Sequence, residues 1–215
     1  MKRIVLILSY GYLIRYFLRI IVGVKCSDTS FLKKEKQFIL IANHNSHLDA
    51  MSIMASMPKS IVHNVRPVAA QDYFGKTKRQ EWFSNYFINT LVIQRKHDKS
   101  SIQDSPMHKM DEALKQGFSL IIFPEGSRGE PGVAQEFKAG VAMLLLQNPE
   151  IPYIPIYMKN MGKAMPKGDS LIVPHESTIV YGTPNKITHF TVDEILACMK
   201  QEMEVLRQSL ENTKS

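Results

Sequence analysis

The chain has 215 residues, 44% of them hydrophobic, which suits one domain with a sizeable core and requires no second. A formal net charge of +7 points to an anionic partner surface, whether nucleic acid, acidic substrate or phospholipid headgroups, and charge alone does not choose among them. Cys26 and Cys198 are far apart and follow no metal or redox spacing, so the expectation is a reduced domain on the cytosolic side.

After Met1-Lys2-Arg3, the stretch from Ile4 to Val24 is apolar and is interrupted by Arg15 and Arg19. As a helix it would be about 31 Å long, enough to cross a hydrocarbon core of about 30 Å. Its Leu, Ile, Val and Phe side chains favour insertion by ~6 kcal/mol together, while a central Arg15 costs about 3 kcal/mol and Arg19 somewhat less, so the gain nearly cancels. Ser9, Tyr12, Arg15, Tyr16, Arg19 and Gly23 fall along one helical stripe. Residues 1–24 are therefore expected to form a membrane-associating helix lying in the interface, with its arginines toward the headgroups. A spanning helix and a buried core helix are the competing readings. A secretory signal is disfavoured, since no small-residue cleavage site follows Val24 and Lys25 precedes Cys26. Residues 25–215 then form the main domain and carry every strand, so removing residues 1–24 is expected to leave a soluble protein. Lys33-Lys34-Glu35-Lys36 reads as a solvated turn.

The apolar run Phe38-Ile39-Leu40-Ile41-Ala42 predicts a strand, and it leads directly into Asn43-His44-Asn45-Ser46-His47-Leu48-Asp49. Five steps along a regular helix turn roughly 140° from the starting face, so His44 and Asp49 meet only if the chain bends between them. A strand-to-helix corner supplies that bend, with Asn43, Asn45 or Ser46 capping a helix over about Leu48 to Met57. The functional reading is a His44 general base whose tautomer and imidazolium are held by Asp49, with the substrate supplying the hydroxyl. Two other readings compete: His44, His47 and Asp49 as metal ligands, or the same residues as capping groups on a surface turn. A metal hydrolase would need a further ligand from His63, His97 or His175, and none stands at a recognisable spacing.

Val65 to Ala70 predicts a second strand, with Pro67 arguing for an edge or a strand start. The segment from Asp72 to Ile88 interleaves basic residues with aromatics, including Trp82, Phe83, Tyr86 and Phe87. It could stack on single-stranded nucleic acid, face the core as a helix, or wall an acyl-chain site; the helical spacing of Phe83, Tyr86 and Phe87 favours the last two. Thr90 to Gln94 predicts a third strand that ends at Arg95, where a guanidinium is well placed to hold a phosphate or to make a surface ion pair. Ser105-Pro106 opens a helix that Gly117 closes, with Met107, Met110 and Leu114 facing inward. The strand Phe118 to Phe123 runs into Pro124-Glu125-Gly126-Ser127-Arg128-Gly129, a turn carrying a carboxylate and a guanidinium. A helix from Phe137-Lys138-Ala139-Gly140 to about Gln147, a strand from Ile151 to Met158, an irregular loop from Met161 to Pro174 and a strand from Thr178 to Tyr181 follow. The capping box Thr191-Val192-Asp193-Glu194 opens a packing helix. This alternation predicts an α/β fold, a mostly parallel central sheet flanked by helices with its sites at the strand C-terminal ends.

The pairing of Asn-His-x-Ser-x-x-Asp at Asn43–Asp49 with Phe-Pro-Glu-Gly-Ser-Arg at Phe123–Arg128 resembles the glycerolipid acyltransferase family, which includes bacterial lysophosphatidate acyltransferases. Weaker family blocks have counterparts in Val92-Ile93-Gln94-Arg95 and Ile154-Pro155-Ile156-Tyr157, and the resemblance covers about Phe38 to Pro184. Asn89 departs from the pattern, near where the family often has a glycine. The resemblance implies acyl transfer from a thioester donor, acyl-CoA or acyl carrier protein, to a lysophospholipid, with lysophosphatidic acid favoured and no cofactor. It implies that Glu125, Gly126 and Arg128 line the acceptor site, with Arg95 as a further phosphate contact and Lys138 as an addition. The backbone N–H groups of Gly126 and Ser127 are candidate anion donors. Ser127 lies in Glu-Gly-Ser-Arg-Gly, not in a Gly-x-Ser-x-Gly elbow, so direct attack by the acceptor is expected rather than a serine acyl-enzyme. The expected setting is an anionic membrane surface on the cytoplasmic face, with no nucleic-acid partner.

Overall fold

In the computed structural model, which describes residues 1–71, 86, 88–94, 105–129, 135–164 and 173–212, the two apolar runs that lead into the motifs lie side by side at the centre of a sheet. The strands among the described residues are β1 (Val24–Cys26), β2 (Ile39–Ala42), β3 (Val65–Ala70), β4 (Leu91–Ile93), β5 (Ser119–Ile122), β6 (Tyr153–Lys159) and β7 (Ser177–Tyr181), in the order β1-β7-β6-β2-β5-β3-β4. Every neighbouring pair is parallel except β6 with β7, so the sheet is mostly parallel, as the alternation of elements predicts. All residues of β2 and β5 are buried, which is why both read as unbroken apolar runs rather than as alternating strands. Their register sets Ile41 opposite Ile122, bringing the chain after each strand out at one level.

Helices cover both faces. Among the described residues the main helices are α1 (Lys2–Val22), α2 (Asp49–Ser56), α3 (Pro106–Lys115), α4 (Ala139–Gln147), the short α5 (Met161–Ala164) and α6 (Val192–Asn212). Leu40, Ile121, Ile154 and Ile156 point to the face covered by α1 and α2, while Ile39, Ile41, Leu120 and Ile122 point to the face covered by α3, α4 and α6. Ser105 caps α3 by accepting from His108 N–H at 3.1 Å, and Thr191 and Glu194 make the predicted capping box at the start of α6.

Some elements differ from their sequence readings. α1 alternates α-helical turns (Lys2–Leu8, Ile14–Tyr16) with π-helical ones (Ser9–Leu13, Phe17–Val22) and stops at Gly23, whose φ of 86° suits a residue without Cβ. Leu6, Tyr10, Leu18 and Val22 are buried in the same core as Leu40 and Met54, whereas Ile4, Leu8, Leu13, Phe17 and Ile20 are exposed. Arg15 does not point to a solvent or headgroup side. Its Nε donates to Ala55 O at 2.7 Å and its Nη2 to Met57 O, while Thr29 Oγ1 donates to Ser56 O at 2.9 Å. Three terminal carbonyls of α2 are thus satisfied from outside the helix, two of them by a cation at the negative end of its dipole.

The expectation that residues 1–24 could be removed without touching a strand is also corrected, because β1 begins at Val24. Pro67 sits inside the sheet rather than at its edge: Val65 to Pro67 pair with β5 and Val68 to Ala70 with β4, so the residue without an N–H falls where the partner changes. The loop from Met161 opens with α5 instead of irregular chain. Of the aromatic and basic segment from Asp72 to Ile88, only Tyr86 and Ile88 are among the described residues.

Candidate active site

His44 and Asp49 leave β2 and enter α2, and the bend between them does what the spacing demands. His44 Nδ1 lies 2.9 Å from Asp49 Oδ2. The same oxygen accepts Asn45 N–H at 2.7 Å and Ser46 N–H at 2.8 Å, so the carboxylate of the first helical residue reaches back and folds the corner around itself. Asp49 is 0% exposed, and its Oδ1 has no partner among the described residues. With Nδ1 donating to a buried carboxylate, the imidazole is fixed in the tautomer that leaves the Nε2 lone pair as a base. Phe123, the first residue of the second motif, stacks on the His44 ring at 4.1 Å between centroids and 20° between planes.

None of the three proposed residues caps α2, whose N-cap is Leu48 without a side-chain cap bond, because the Asp49 carboxylate itself reaches back to the corner. Ser46 Oγ accepts Leu48 N–H at 3.2 Å. The side chain of Asn43 instead spans to β6, with Nδ2 donating to Met158 O at 3.0 Å and Oδ1 accepting Met158 N–H at 2.7 Å. That pair locks the end of β2 to its neighbour just before the histidine.

The second motif comes off β5, adjacent to β2, and meets the first through backbone bonds. Glu125 Oε2 accepts His44 N–H at 3.0 Å, and Gly129 N–H donates to His44 O at 3.0 Å. Glu125 is 6% exposed; burial, with Asp49 nearby, pushes its carboxyl up to about 7 against the bonds from His44 and Gln135. Gly126 has φ 72°, and a Cβ there would meet the Lys138 side chain, whose Nζ would be 2.6 Å away. Lys138 thus lies over the turn, and its own N–H donates to Pro124 O at 2.9 Å. The Gly126 N–H is bonded to Phe123 O at 3.0 Å, which removes it as an anion donor and leaves Ser127 N–H as the remaining candidate of that pair.

Arg128 is 7% exposed, and its guanidinium donates to His47 Nε2. Burial, then Arg128 and His44, hold His47 below its usual range. A His47 lone pair taken up by a guanidinium is not offered to a metal, which weakens the metal-ligand reading on chemical grounds. Gln135 is the residue that sequence reasoning missed: its Nε2 donates to Glu125 Oε2 and to Ser127 O, each at 3.2 Å, and so ties the turn together. No spacing rule marks it. The structure thus brings together His44, Asp49, Glu125, Gly126, Ser127, Arg128 and Lys138, while Arg95 lies outside the described residues. Asn89, near where the resembled family often has a glycine, has φ 60°, a left-handed conformation that asparagine tolerates better than most residues.

A family model described as Acyltransferase matches residues 23–159, more than half of the chain. The chain belongs to the acyltransferase family. This acyltransferase is 28% identical over 205 residues to a 1-acyl-sn-glycerol-3-phosphate acyltransferase of Limnanthes douglasii, covering 94% of its own length and 69% of the relative. It is 28% identical over 190 residues to the Limnanthes alba protein of the same description, covering 86% of its own length and 63% of that protein. The acyltransferase also superposes on the crystal structure of the 1-acyl-sn-glycerophosphate (LPA) acyltransferase PlsC from Thermotoga maritima with a TM-score of 0.74, at 21% identity, over 97% of its own chain and 78% of that chain.

Proposed function

We propose that this acyltransferase moves a fatty acyl group from a thioester, acyl-CoA or acyl carrier protein, to the free hydroxyl of 1-acylglycerol 3-phosphate in phospholipid biosynthesis. The observation that carries the proposal is the His44–Asp49 contact at 2.9 Å beside the buried Arg128 turn, at the C-terminal ends of two adjacent parallel strands. In this mechanism His44 Nε2 removes the proton from the hydroxyl as its oxygen bonds to the thioester carbonyl carbon. The Ser127 N–H is a donor for the tetrahedral oxyanion. As the intermediate collapses, the C–S bond breaks and the imidazolium returns its proton to the leaving thiolate. Asp49 stabilises that imidazolium. Arg128, Lys138 and Arg95 serve the acceptor phosphate, for which charge-assisted bonds are about twice as strong as those to a neutral group. No cofactor enters. The exposed apolar side of α1 rests in an anionic membrane surface on the cytoplasmic face, and nucleic acid has no role.

A rate panel tests the assignment: lysophosphatidic acid, glycerol 3-phosphate, lysophosphatidylcholine and monoacylglycerol, each with both donors. Lysophosphatidic acid should be preferred. His44→Ala should lower turnover on the order of 10²–10⁴-fold while leaving unfolding unchanged. Arg128→Lys should weaken use of the phosphate-bearing acceptors, because a point charge does not replace a planar fork. Equal use of monoacylglycerol would remove the phosphate clamp from the proposal, and near-normal rates in folded His44→Ala would remove the base.

A further inference from the structure

The backbone of His44 is tied to the second motif by two bonds: its N–H donates to Glu125 Oε2 and its O accepts Gly129 N–H, each at 3.0 Å. One side chain lies against both. Gln135 Nε2 donates to Glu125 Oε2 and to Ser127 O, each at 3.2 Å, so the carboxylate oxygen that receives the His44 N–H also receives Gln135. The same carboxamide fills the space that a side chain on Gly129 would take, since a Cβ there would stand 2.2 Å from Nε2 and 2.7 Å from Cδ. Gln135 is half-buried, and the chain after it is held in place: Phe137 packs against the core that contains Val141, and Lys138 N–H donates to Pro124 O at 2.9 Å.

A carboxylate and a carbonyl both accept, so the pair demands a donor with two hydrogens and fixes the amide nitrogen, not the amide oxygen, toward the turn. An apolar side chain of the same length would fill the space without supplying either hydrogen. The geometry points to Gln135 as a positioning residue for acyl transfer: by holding Glu125 and packing on Gly129 it fixes the His44 backbone, and with it the reach of the base to the acceptor hydroxyl. This rests on the reading of His44 as the general base. Moving a base costs rate rather than acceptor binding, and a displacement of about 1 Å costs on the order of 10²-fold.

The test uses the full chain with Gln135→Met, which keeps the length but not the donor, with Gly129→Ala, whose Cβ pushes the carboxamide aside, and with the two combined. With lysophosphatidic acid as acceptor, Gln135→Met should lose roughly tenfold or more in kcat while the acceptor KM changes less than about threefold. Gly129→Ala should lose a similar factor, and the double variant no more than either, because the same interaction is removed each time. Urea unfolding at pH 4.5 and pH 8 reports the link through Glu125, which Asp49 faces from the first motif and over whose turn Lys138 lies. Gln135→Met should lower the urea midpoint more at pH 8, where the lost bond is to a carboxylate, than at pH 4.5, where it is to a neutral acid. His44→Ala separates this proposal from the reading beneath it. Near-normal rates in folded His44→Ala overturn that reading, whereas an inactive His44→Ala beside a wild-type kcat in Gln135→Met overturns the positioning role alone. The role is also overturned if Gln135→Met raises the acceptor KM at unchanged kcat, if the two single losses multiply in the double variant, or if the midpoint falls equally at both pH values.

Discussion

His44 is met by two carboxylates, and each does a different job. Asp49 collects the ring nitrogen and two backbone N–H groups on one oxygen, whereas Glu125 collects the backbone N–H of the histidine itself. Burial carries Glu125 from an ordinary 4.5 to about 7, so the folded protein binds this proton more tightly than the unfolded chain does. Below about pH 4.5 both states are protonated and the group is neutral toward stability. As pH rises to about 7 the unfolded chain ionises first, so stability falls, and above that the whole penalty, on the order of 3 kcal/mol, remains. Glu125→Gln keeps an acceptor for His44 N–H without the charge. It should therefore be more stable than the wild type at pH 8 and little different near pH 4.5, as measured by urea unfolding at both. Destabilisation that grows from pH 4.5 to pH 8 would mean that the charged form is favoured. Of these side chains, His44, Asp49 and Glu125 were legible because motif spacing marks them. Gln135 and Phe123 act through contacts that only the folded turn creates.

At the scale of elements, strands β2 to β7 were legible and β1 was not. The two-sided burial of β2 and β5 demands unbroken apolar runs, which any reader of the chain can find. β1 has three residues directly after a helix stop, too short to show a period. Arg15 misled for a different reason: a helical stripe reveals which residues share a side but not what lies beneath it, and here the α2 carbonyls do. Asp49 opens α2 and Arg15 holds its far end, so α1 supports the element that carries the dyad. Arg15→Met should cost about 2 kcal/mol or more in chemical unfolding, as the α2 carbonyls lose charged donors. Deleting residues 1–24 should give an aggregating or poorly cooperative product rather than a soluble domain, since it also uncovers the core around Leu40 and Met54. A monomeric, sharply melting deletion product would refute this view of α1.

For the whole molecule, the mostly parallel sheet carries the dyad at the C-terminal ends of its central strands. Along α1 the outward side chains Ile4, Leu8, Leu13, Phe17 and Ile20 stand free of the core. An enzyme seated on lipid by that row does not collect its acceptor from a volume. It searches a plane, where encounter frequency depends on how crowded the plane is with lysolipid. Turnover should then fall as a nonionic detergent spreads a fixed amount of acceptor over more surface, although its bulk concentration is unchanged. Rates followed across such a dilution series, with the wild type and with Leu13→Gln/Ile20→Gln, give the check. A wild-type rate indifferent to dilution would mean that the acceptor arrives through water.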